Sequence, residues 1–479
     1  MAANSGSSRP MTAMDHLLIR GESDPSMRSA TVAVYILEAP PAWRRLVETF
    51  ERASREFVRL RQRVVEPSLP LTDARWVTDP DFDLSYHLRR LRVPEPGDIR
   101  DLLLLVEGQL MSPLDIARPL WDAILVEGFE DGSAALIHRT SHALTDGVGG
   151  VRLMRVLFDG DADAPVRSMP AVPVPEDLTP ADLTAAATRR LPAVAVRTLV
   201  SAAARTGGVA TRAARHPGRT AEELRAFAAS LARILAPVAP PSPLLSGRSM
   251  SRRVLWSEVS LYELKRAAKA GGGSLNDAYL AALAGGLRRY HEKLGVPVEV
   301  LSLACPINRR VPGSEAGGNH WSAATIRLPV GEPDPRARMR DIGAAVGAAR
   351  SEVALDSPMA LAPLLDRMPD RVVEAVTRSI PRPDIQASNI PGQTSDLYVA
   401  GKRVTKFMGF GPLPGVAMMV VLVSHLDSCA ITVHYDPAAL TEPALFEQCL
   451  QEGFDEVLAV AADPGGRAVG RTSKARAKR

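Results

Sequence analysis

Residues 161–250 interrupt a chain that is otherwise patterned as alternating strands and helices, and this interruption constrains the fold more than any other feature. The interrupting segment is rich in Ala, Arg and Pro. Alternating strands and helices are typical of α/β proteins, and 479 residues exceed one ordinary domain. We therefore predict two α/β halves, residues 11–160 and 251–465, joined by a helical basic linker, residues 161–250, and followed by a basic tail, residues 466–479.

Apolar periodicity places the elements within each half. Residues 28–37 alternate apolar side chains with others and predict a strand, and residues 133–140 predict a second strand that leads directly into a histidine. In the second half, Ser274 is a suitable N-cap for a helix over residues 276–291. Two apolar runs within residues 416–435, separated by a short polar turn, predict a β-hairpin.

The linker and the tail carry most of the unbalanced positive charge. Between Leu183 and Ala221 there are seven arginines and no acidic or aromatic residue, and residues 467–479 hold six basic residues and no acid. Such blocks either pack on the two halves or lie on an anionic surface such as a membrane. The lack of aromatic residues in the linker argues against a base-stacking platform, so we expect no nucleic-acid partner.

Cysteine usage and hydropathy bear on the compartment. The three cysteines do not form a disulfide framework and are not spaced as a zinc site, so we expect a reducing compartment and no metal. No run approaches the roughly 18 apolar residues that a spanning helix needs, and no signal-peptide core is present. We expect a cytoplasmic protein that is peripheral to a membrane or to lipid droplets.

The strongest candidate for chemistry is the segment Ser141–Gly147, which reads SHALTDG at the end of an apolar strand. His142 is a suitable general base at neutral pH, and Asp146 could hold the loop. The alternative is a structural histidine beside a helix-capping aspartate. No G-x-S-x-G elbow, phosphate-binding loop or H-E-x-x-H motif occurs, which disfavours Ser141 as a nucleophile.

SHALTDG resembles the H-H-x-x-x-D-G signature of CoA-dependent acyltransferases. Its surroundings resemble the bacterial bifunctional wax ester synthase/acyl-CoA:diacylglycerol acyltransferase family, in the family's order and over nearly the whole chain apart from the linker and tail. The segments that carry the resemblance are Met14–Leu18, Phe82–Leu88, Pro113–Asp115, Arg118–Trp121, Asn276–Asp277, Pro306–Arg310, Gly318–Asn319 and Ser388–Gly392.

The resemblance implies two chloramphenicol-acetyltransferase-like halves with a tunnel between them. His142 matches the family's catalytic second histidine, whereas Ser141 stands where the family has its first. Asp146 and Gly147 match the structural end of the motif, with Arg309 or Arg310 as possible partners of Asp146. Asn276 and Asp277 match a motif at a helix start, where helix capping and substrate contact are both open. Ser141 is a further possible substrate-binding residue.

The function that this resemblance implies is transfer of a long-chain acyl group from acyl-CoA to diacylglycerol, and also to long-chain alcohols, which yields triacylglycerol and wax esters. Acyl-CoA is a substrate, and no cofactor or metal is expected. One alternative is a same-fold acyltransferase for another alcohol or an amine. A second alternative is a non-catalytic lipid-surface binding protein, which the serine at position 141 and the basic linker suggest.

Overall fold

A computed structural model describes residues 8–144, 147–165, 167–190, 225, 237–307, 322–351 and 362–462 of the chain. The first half contains strands β1 (Arg9–Pro10), β2 (Ala30–Leu37), β3 (Gln62–Val65), β4 (Arg75–Thr78), β5 (Leu88–Arg92), β6 (Trp121–Glu127) and β7 (Ala134–Ser141). Its helices are α1 (Ala13–Gly21), α2 (Trp43–Glu56), α3 (Leu84–His87), α4 (Ile99–Met111) and α5 (Gly147–Leu157). The strand predicted over residues 28–37 and the one predicted over 133–140 are confirmed.

The second half follows the linker. Its strands are β8 (Arg253–Ser260), β9 (Val300–Ile307), β10 (Ser322–Pro329), β11 (Ile385–Ile390), β12 (Tyr398–Val399), β13 (Lys402–Phe410), β14 (Met418–His425) and β15 (Ser428–Tyr435). Its helices are α6 (Leu261–Ala270), α7 (Leu275–Lys293), α8 (Pro335–Arg350), α9 (Asp370–Ser379) and α10 (Pro443–Ala459). The predicted helix with its Ser274 cap is α7, and the predicted hairpin is β14–β15, so both predictions are confirmed.

The described strands form two six-stranded mixed sheets and a small three-stranded sheet. The order is β12-β13-β2-β7-β6-β5 in the first large sheet, β10-β9-β11-β14-β15-β8 in the second and β1-β4-β3 in the small one. Both large sheets combine parallel with antiparallel pairs. The predicted α/β class with mixed sheets is therefore confirmed.

Strand β7 is the centre of the first half, and all eight of its residues are buried. A strand places successive side chains on opposite faces. Ala134 and Leu136 accordingly join the core beneath α2 and α5, whereas Ala135 and Ile137 join the core beneath α4. Because both faces are covered by helices, the strand begins with four successive apolar residues, Ala134–Ile137.

Strand β14 divides its side chains in the same way in the second half. Met418, Val420 and Leu422 pack beneath α6, α7, α8 and α10, and the alternate residues face the opposite side of the sheet. That opposite side meets Phe407 of β13.

Strand β13 joins the two large sheets. It follows β11 in the chain, yet its backbone pairs antiparallel with β2 of the first half, from Phe410 opposite Val32 to Val404 opposite Leu37. Side chains of β15 also donate to β13 and to the residue that follows it: Thr432 Oγ1 to the Gly409 carbonyl at 2.5 Å and His434 Nδ1 to the Gly411 carbonyl at 2.8 Å. The two halves therefore interlock.

Residues 176–183 of the linker pack on the small sheet. Leu183 is buried against Val65 and Val77, and the Glu176 amide donates to the Thr78 carbonyl at 3.1 Å. Residues 180–190 are helical. The other predicted linker arginines, Arg197 to Arg219, and the basic tail lie outside the described residues. Among the residues described, no helix is long and apolar enough to cross a bilayer.

Candidate active site

Strand β7 ends in a tight turn that presents His142. Ser141 is the last residue paired with β2, opposite Ala30, and its amide donates to the Leu120 carbonyl at 3.0 Å. The Leu144 amide then donates to the Ser141 carbonyl at 3.0 Å, which closes the turn. His142, the second residue of this turn, is half-buried, so it lies at the boundary between the core and the outside.

Ser141 is a fully buried part of this turn. Its hydroxyl accepts a hydrogen bond from the Ala143 amide at 3.3 Å, a local bond that serines commonly make in turns. This use of the hydroxyl suits a structural residue better than a nucleophile. Contact of Ser141 with substrate stays a prediction.

The rest of the predicted motif is described only in part. Gly147 is the first residue of α5, which packs against α2 and positions the far end of the loop. Asp146 lies outside the described residues, and so do its suggested partners Arg309 and Arg310. The predicted ion pair of Asp146 therefore stays a prediction.

A buried carboxylate, which sequence reasoning missed, binds the residue that precedes the neighbouring strand β2. Glu22 caps the end of α1, and its Oε1 accepts from the Ser29 amide at 2.8 Å and from the Ser29 hydroxyl at 2.6 Å. Ser29 immediately precedes Ala30, the partner of Ser141. The sequence signal is weak, because a lone Glu in a polar loop is ordinarily a solvated residue.

An aromatic stack lines the strand upstream of His142. His87 lies between Phe82 and Trp121, with ring centroids 5.2 and 4.7 Å apart, and its Nδ1 donates to the Trp121 carbonyl at 2.7 Å. His138 packs edge-on against Trp121. Burial lowers the pKa of His138 to about 4 and also lowers that of His87. Both imidazoles are therefore neutral at pH 7.

A buried ion pair fixes β7 from its other face. Arg139 pairs with Asp122 of β6, and its Nη1 donates to the carbonyls of Gln109 and Ser112, each at 2.8 Å. This arginine connects β7, β6 and the end of α4. Sequence reasoning missed it, because a single Arg inside an apolar strand does not reveal its partner.

Asn276 and Asp277 lie in the first turn of α7. The Asp277 carboxylate accepts from the amide and hydroxyl of Ser274 at 2.7 and 2.8 Å, and the Ser274 hydroxyl accepts from the Asp277 amide. This reciprocal arrangement is a capping box. The capping interpretation thus accounts for Asp277, whereas substrate contact by either residue stays a prediction.

A small cleft lies beside the end of β2, and both halves line it. Its walls include Arg28 and Ala30 from the first half and Arg252, Leu413 and His434 from the second. Ala30 is the cross-strand neighbour of Ser141, so the cleft lies next to the turn that carries His142. Among the described residues, no group of three or more His, Cys, Asp or Glu is arranged to hold a metal ion.

Two solved structures share this fold. The wax ester synthase/diacylglycerol acyltransferase from Marinobacter aquaeolei VT8 superposes with a TM-score of 0.62 at 20% identity, over 95% of this chain and 100% of that one. The starter condensation domain of rhizomide synthetase superposes with a TM-score of 0.59 at 14% identity, over 95% of both chains. At these identities the likeness establishes the fold.

Sequence comparison identifies the family. Residues 11–279 match the wax ester synthase/diacylglycerol acyltransferase catalytic domain, and residues 317–457 match the C-terminal domain of the same family. A Mycobacterium tuberculosis protein with the provisional name diacylglycerol O-acyltransferase is 47% identical over 95% of this chain and 92% of its own length. A second M. tuberculosis protein of that provisional name is 29% identical over 88% of this chain and 90% of its own length.

The molecule is thus an enzyme of the acyltransferase class. Within that class, the chain belongs to the wax ester synthase/diacylglycerol acyltransferase family.

Proposed function

We propose that this enzyme transfers a long-chain acyl group from acyl-CoA to the free hydroxyl of diacylglycerol, and to long-chain alcohols as second acceptors. The observation that carries the proposal is His142, half-buried on a turn at the end of a fully buried strand, within a chain that belongs to this family. No cofactor is needed, because the thioester of acyl-CoA is already an activated acyl donor.

In the proposed reaction, His142 acts as a general base and then as a general acid. Its neutral imidazole takes the proton of the acceptor hydroxyl as the oxygen attacks the thioester carbonyl, which forms a tetrahedral intermediate. Collapse breaks the carbon–sulfur bond, and the imidazolium returns the proton to the departing thiolate of CoA. An alcohol with a pKa of roughly 16 is a poor nucleophile unaided, and a positioned base typically contributes about 10²–10⁴-fold.

The motif residues around His142 have supporting roles in this proposal. Asp146 holds the loop between β7 and α5, and Gly147 allows α5 to begin directly after it. Arg139 and Asp122 hold the strand itself, because their buried pair fixes β7 to β6 and to the end of α4. The base is therefore presented from a rigid element.

The acceptor is tested with purified protein and radiolabelled acyl-CoA. We expect labelled triacylglycerol with diacylglycerol and labelled wax ester with hexadecanol, both dependent on protein. Label that appears only with an amine or with another alcohol would contradict the acceptor proposed here. Absence of transfer to every acceptor would contradict the enzymatic function.

We also propose that the enzyme reaches these water-insoluble acceptors at a lipid surface, through an apolar patch near α9. Leu364, Met368 and Val372 are between 36% and 57% exposed, and so are Leu69 and Leu71 in the loop between β3 and β4. Arg367 donates to Asp73 at 3.0 Å and thereby holds these two segments side by side. Exposed apolar side chains flanked by charged ones are typical of surfaces that insert into the lipid interface.

Vesicle binding tests this patch. We expect the combined change of Leu364, Met368 and Val372 to Gln to weaken sedimentation with vesicles that contain diacylglycerol. The control variant changes three exposed residues on β5, α4 and α6, namely Leu91, Leu104 and Tyr262, to Gln. Equal sedimentation of the two variants would mean that the patch does not bind lipid.

A further inference from the structure

The backbone pairing between β2 and β7 ends beside His142. At that point the Glu22 carboxylate takes the place of a backbone acceptor. The Ser141 amide donates away from β2, to Leu120 of the segment before β6. In an antiparallel pair, the backbone groups of successive residues point to alternate sides. The next pair would therefore be Ser29 opposite His142, with the Ser29 amide pointing toward β7. That amide instead donates to Glu22 Oε1 at 2.8 Å.

The Glu22 carboxylate thus occupies the position that the chain at residue 142 would take if the ladder continued. Ser29 directly precedes Ala30, the cross-strand partner of Ser141, so a carboxylate on the Ser29 amide lies beside the end of β7 from which the chain continues to His142. The Ser29 hydroxyl, which also donates to Glu22 at 2.6 Å, is on the same face as Thr31 and Thr140, two residues before His142. The Glu22 carboxylate therefore lies on the face of the sheet that carries Thr140. Alternation places residue 142 on this same face.

The Glu22 carboxylate has one oxygen atom that its bonds to Ser29 do not use. The residue is only 8% exposed, and its Oε2 is buried with no hydrogen-bond partner among the described residues. A carboxylate oxygen buried in this way is costly unless it interacts with a positive charge or a donor. The cation that the proposed reaction generates nearest to it is the imidazolium of His142.

We propose that Glu22 is a positioning residue for acyl transfer, whose carboxylate stabilises the imidazolium that forms on His142. The inference rests on the proposed role of His142 as the base. An opposite charge within about 4–6 Å raises the pKa of a histidine, which makes His142 a stronger base. Glu22 acts through His142 and does not itself touch the reacting atoms.

Several other charged groups nearby have partners of their own. On β7, Arg139 points to the opposite face and pairs with Asp122, and His138 is neutral at pH 7. Arg28 donates to the Met111 carbonyl at 2.5 Å. On α1, Arg20 and His16 pair with acids of the 362–370 segment, and Asp15 is buried. Glu22 is the carboxylate that closes the ladder at residue 142.

The test is an NMR titration of the histidine imidazoles, with His142→Ala used to assign the His142 signal. In Glu22→Gln, whose amide oxygen can still accept from Ser29, we expect the midpoint of His142 to fall by about one pH unit. The acidic limb of the pH profile of kcat/KM should move to lower pH by the same amount. The value of kcat should fall about tenfold, with KM nearly unchanged. In Glu22→Asp, which keeps the charge, the His142 midpoint should return most of the way to its wild-type value.

Asp24→Asn is the matched control, because Asp24 lies in the same loop and accepts from the amide and hydroxyl of Ser26 at 2.9 and 2.8 Å. In the Asp24→Asn variant, the titration midpoint of His142 and the value of kcat should equal those of wild type. A wild-type His142 midpoint in Glu22→Gln would overturn the inference. Because the titration needs no substrate, loss of the proposed function would appear separately, as absence of transfer by the wild-type protein.

Discussion

At the scale of single residues, the site combines a motif that the sequence displays with supports that it conceals. His142 is recognisable because a short, spaced pattern carries it. The supports are Glu22, which accepts from Ser29 beside the end of β7, and Arg139, which pairs with Asp122 of β6. A spacing rule finds residues that are close in sequence, and no such rule connects Glu22 with residue 142.

Ser141 provides a prediction at this scale. The position that holds histidine in the family holds a fully buried serine here, whose hydroxyl accepts from the Ala143 amide. Ser141→His should overpack this site and lower the free energy of unfolding by about 1–3 kcal/mol. Ser141→Ala removes one hydrogen bond and should cost about 1 kcal/mol. Urea denaturation measures both, and a Ser141→His variant as stable as wild type would show unfilled space around residue 141.

At the scale of elements, the secondary structure follows closely from periodicity, and the docking between elements does not. Strand β2 is placed by its apolar alternation, the β14–β15 hairpin by two apolar runs around a polar turn, and α7 by its Ser274 cap. The attachment of α1 to the second half is different in kind. His16 Nδ1 donates to Asp366 at 2.7 Å, and Arg20 Nε donates to Asp370 at 2.8 Å. Partners some 350 residues apart leave no local signal.

The His16 contact should make stability depend on alkaline pH. Burial by itself lowers the pKa of His16, but the hydrogen bonds and charges of Asp366 and Glu66 outweigh it and raise the pKa to about 9. A raised pKa stabilises the fold fully below about 6.5, and this contribution is lost as pH rises through about 9. It amounts to at most about 3 kcal/mol, and to less in salt because Glu66 is half exposed.

We therefore expect His16→Gln to be less stable than wild type at pH 6 and nearly equal to it at pH 10. Urea unfolding at a series of pH values measures this difference. The control is His87→Gln, since the hydrogen bond of His87 goes to the Trp121 carbonyl and not to an acid, and burial lowers its pKa. A stability gap for His16→Gln that is constant from pH 6 to pH 10 would contradict the ion-pair account.

At the scale of the whole molecule, β13 is what makes two halves into one structure. Patterning predicts two α/β halves, but it cannot predict that a strand of one half completes the sheet of the other, since β13 has the same alternation in either sheet. The backbone pairing with β2 and the side-chain bonds from Thr432 and His434 show the outcome. The cleft beside the end of β2 exists only because the halves interlock.

Interlocking predicts that both halves unfold together. Fluorescence from Trp121 in the first half and from Trp256 in the second, each kept as a single tryptophan, should report the same urea midpoint. Met408 is fully buried on β13, so Met408→Ala should lower both midpoints equally, at a cost of about 2–5 kcal/mol. Two separate midpoints in wild type would mean that the halves are independent domains.

Replacement of His142 tests the central claim most directly. His142 is half-buried on a turn, so His142→Ala should leave the free energy of unfolding within about 0.5 kcal/mol of wild type. If His142 is the base, kcat for transfer from acyl-CoA to diacylglycerol should fall by about 10²–10⁴-fold. A folded His142→Ala protein with near wild-type turnover would contradict the account.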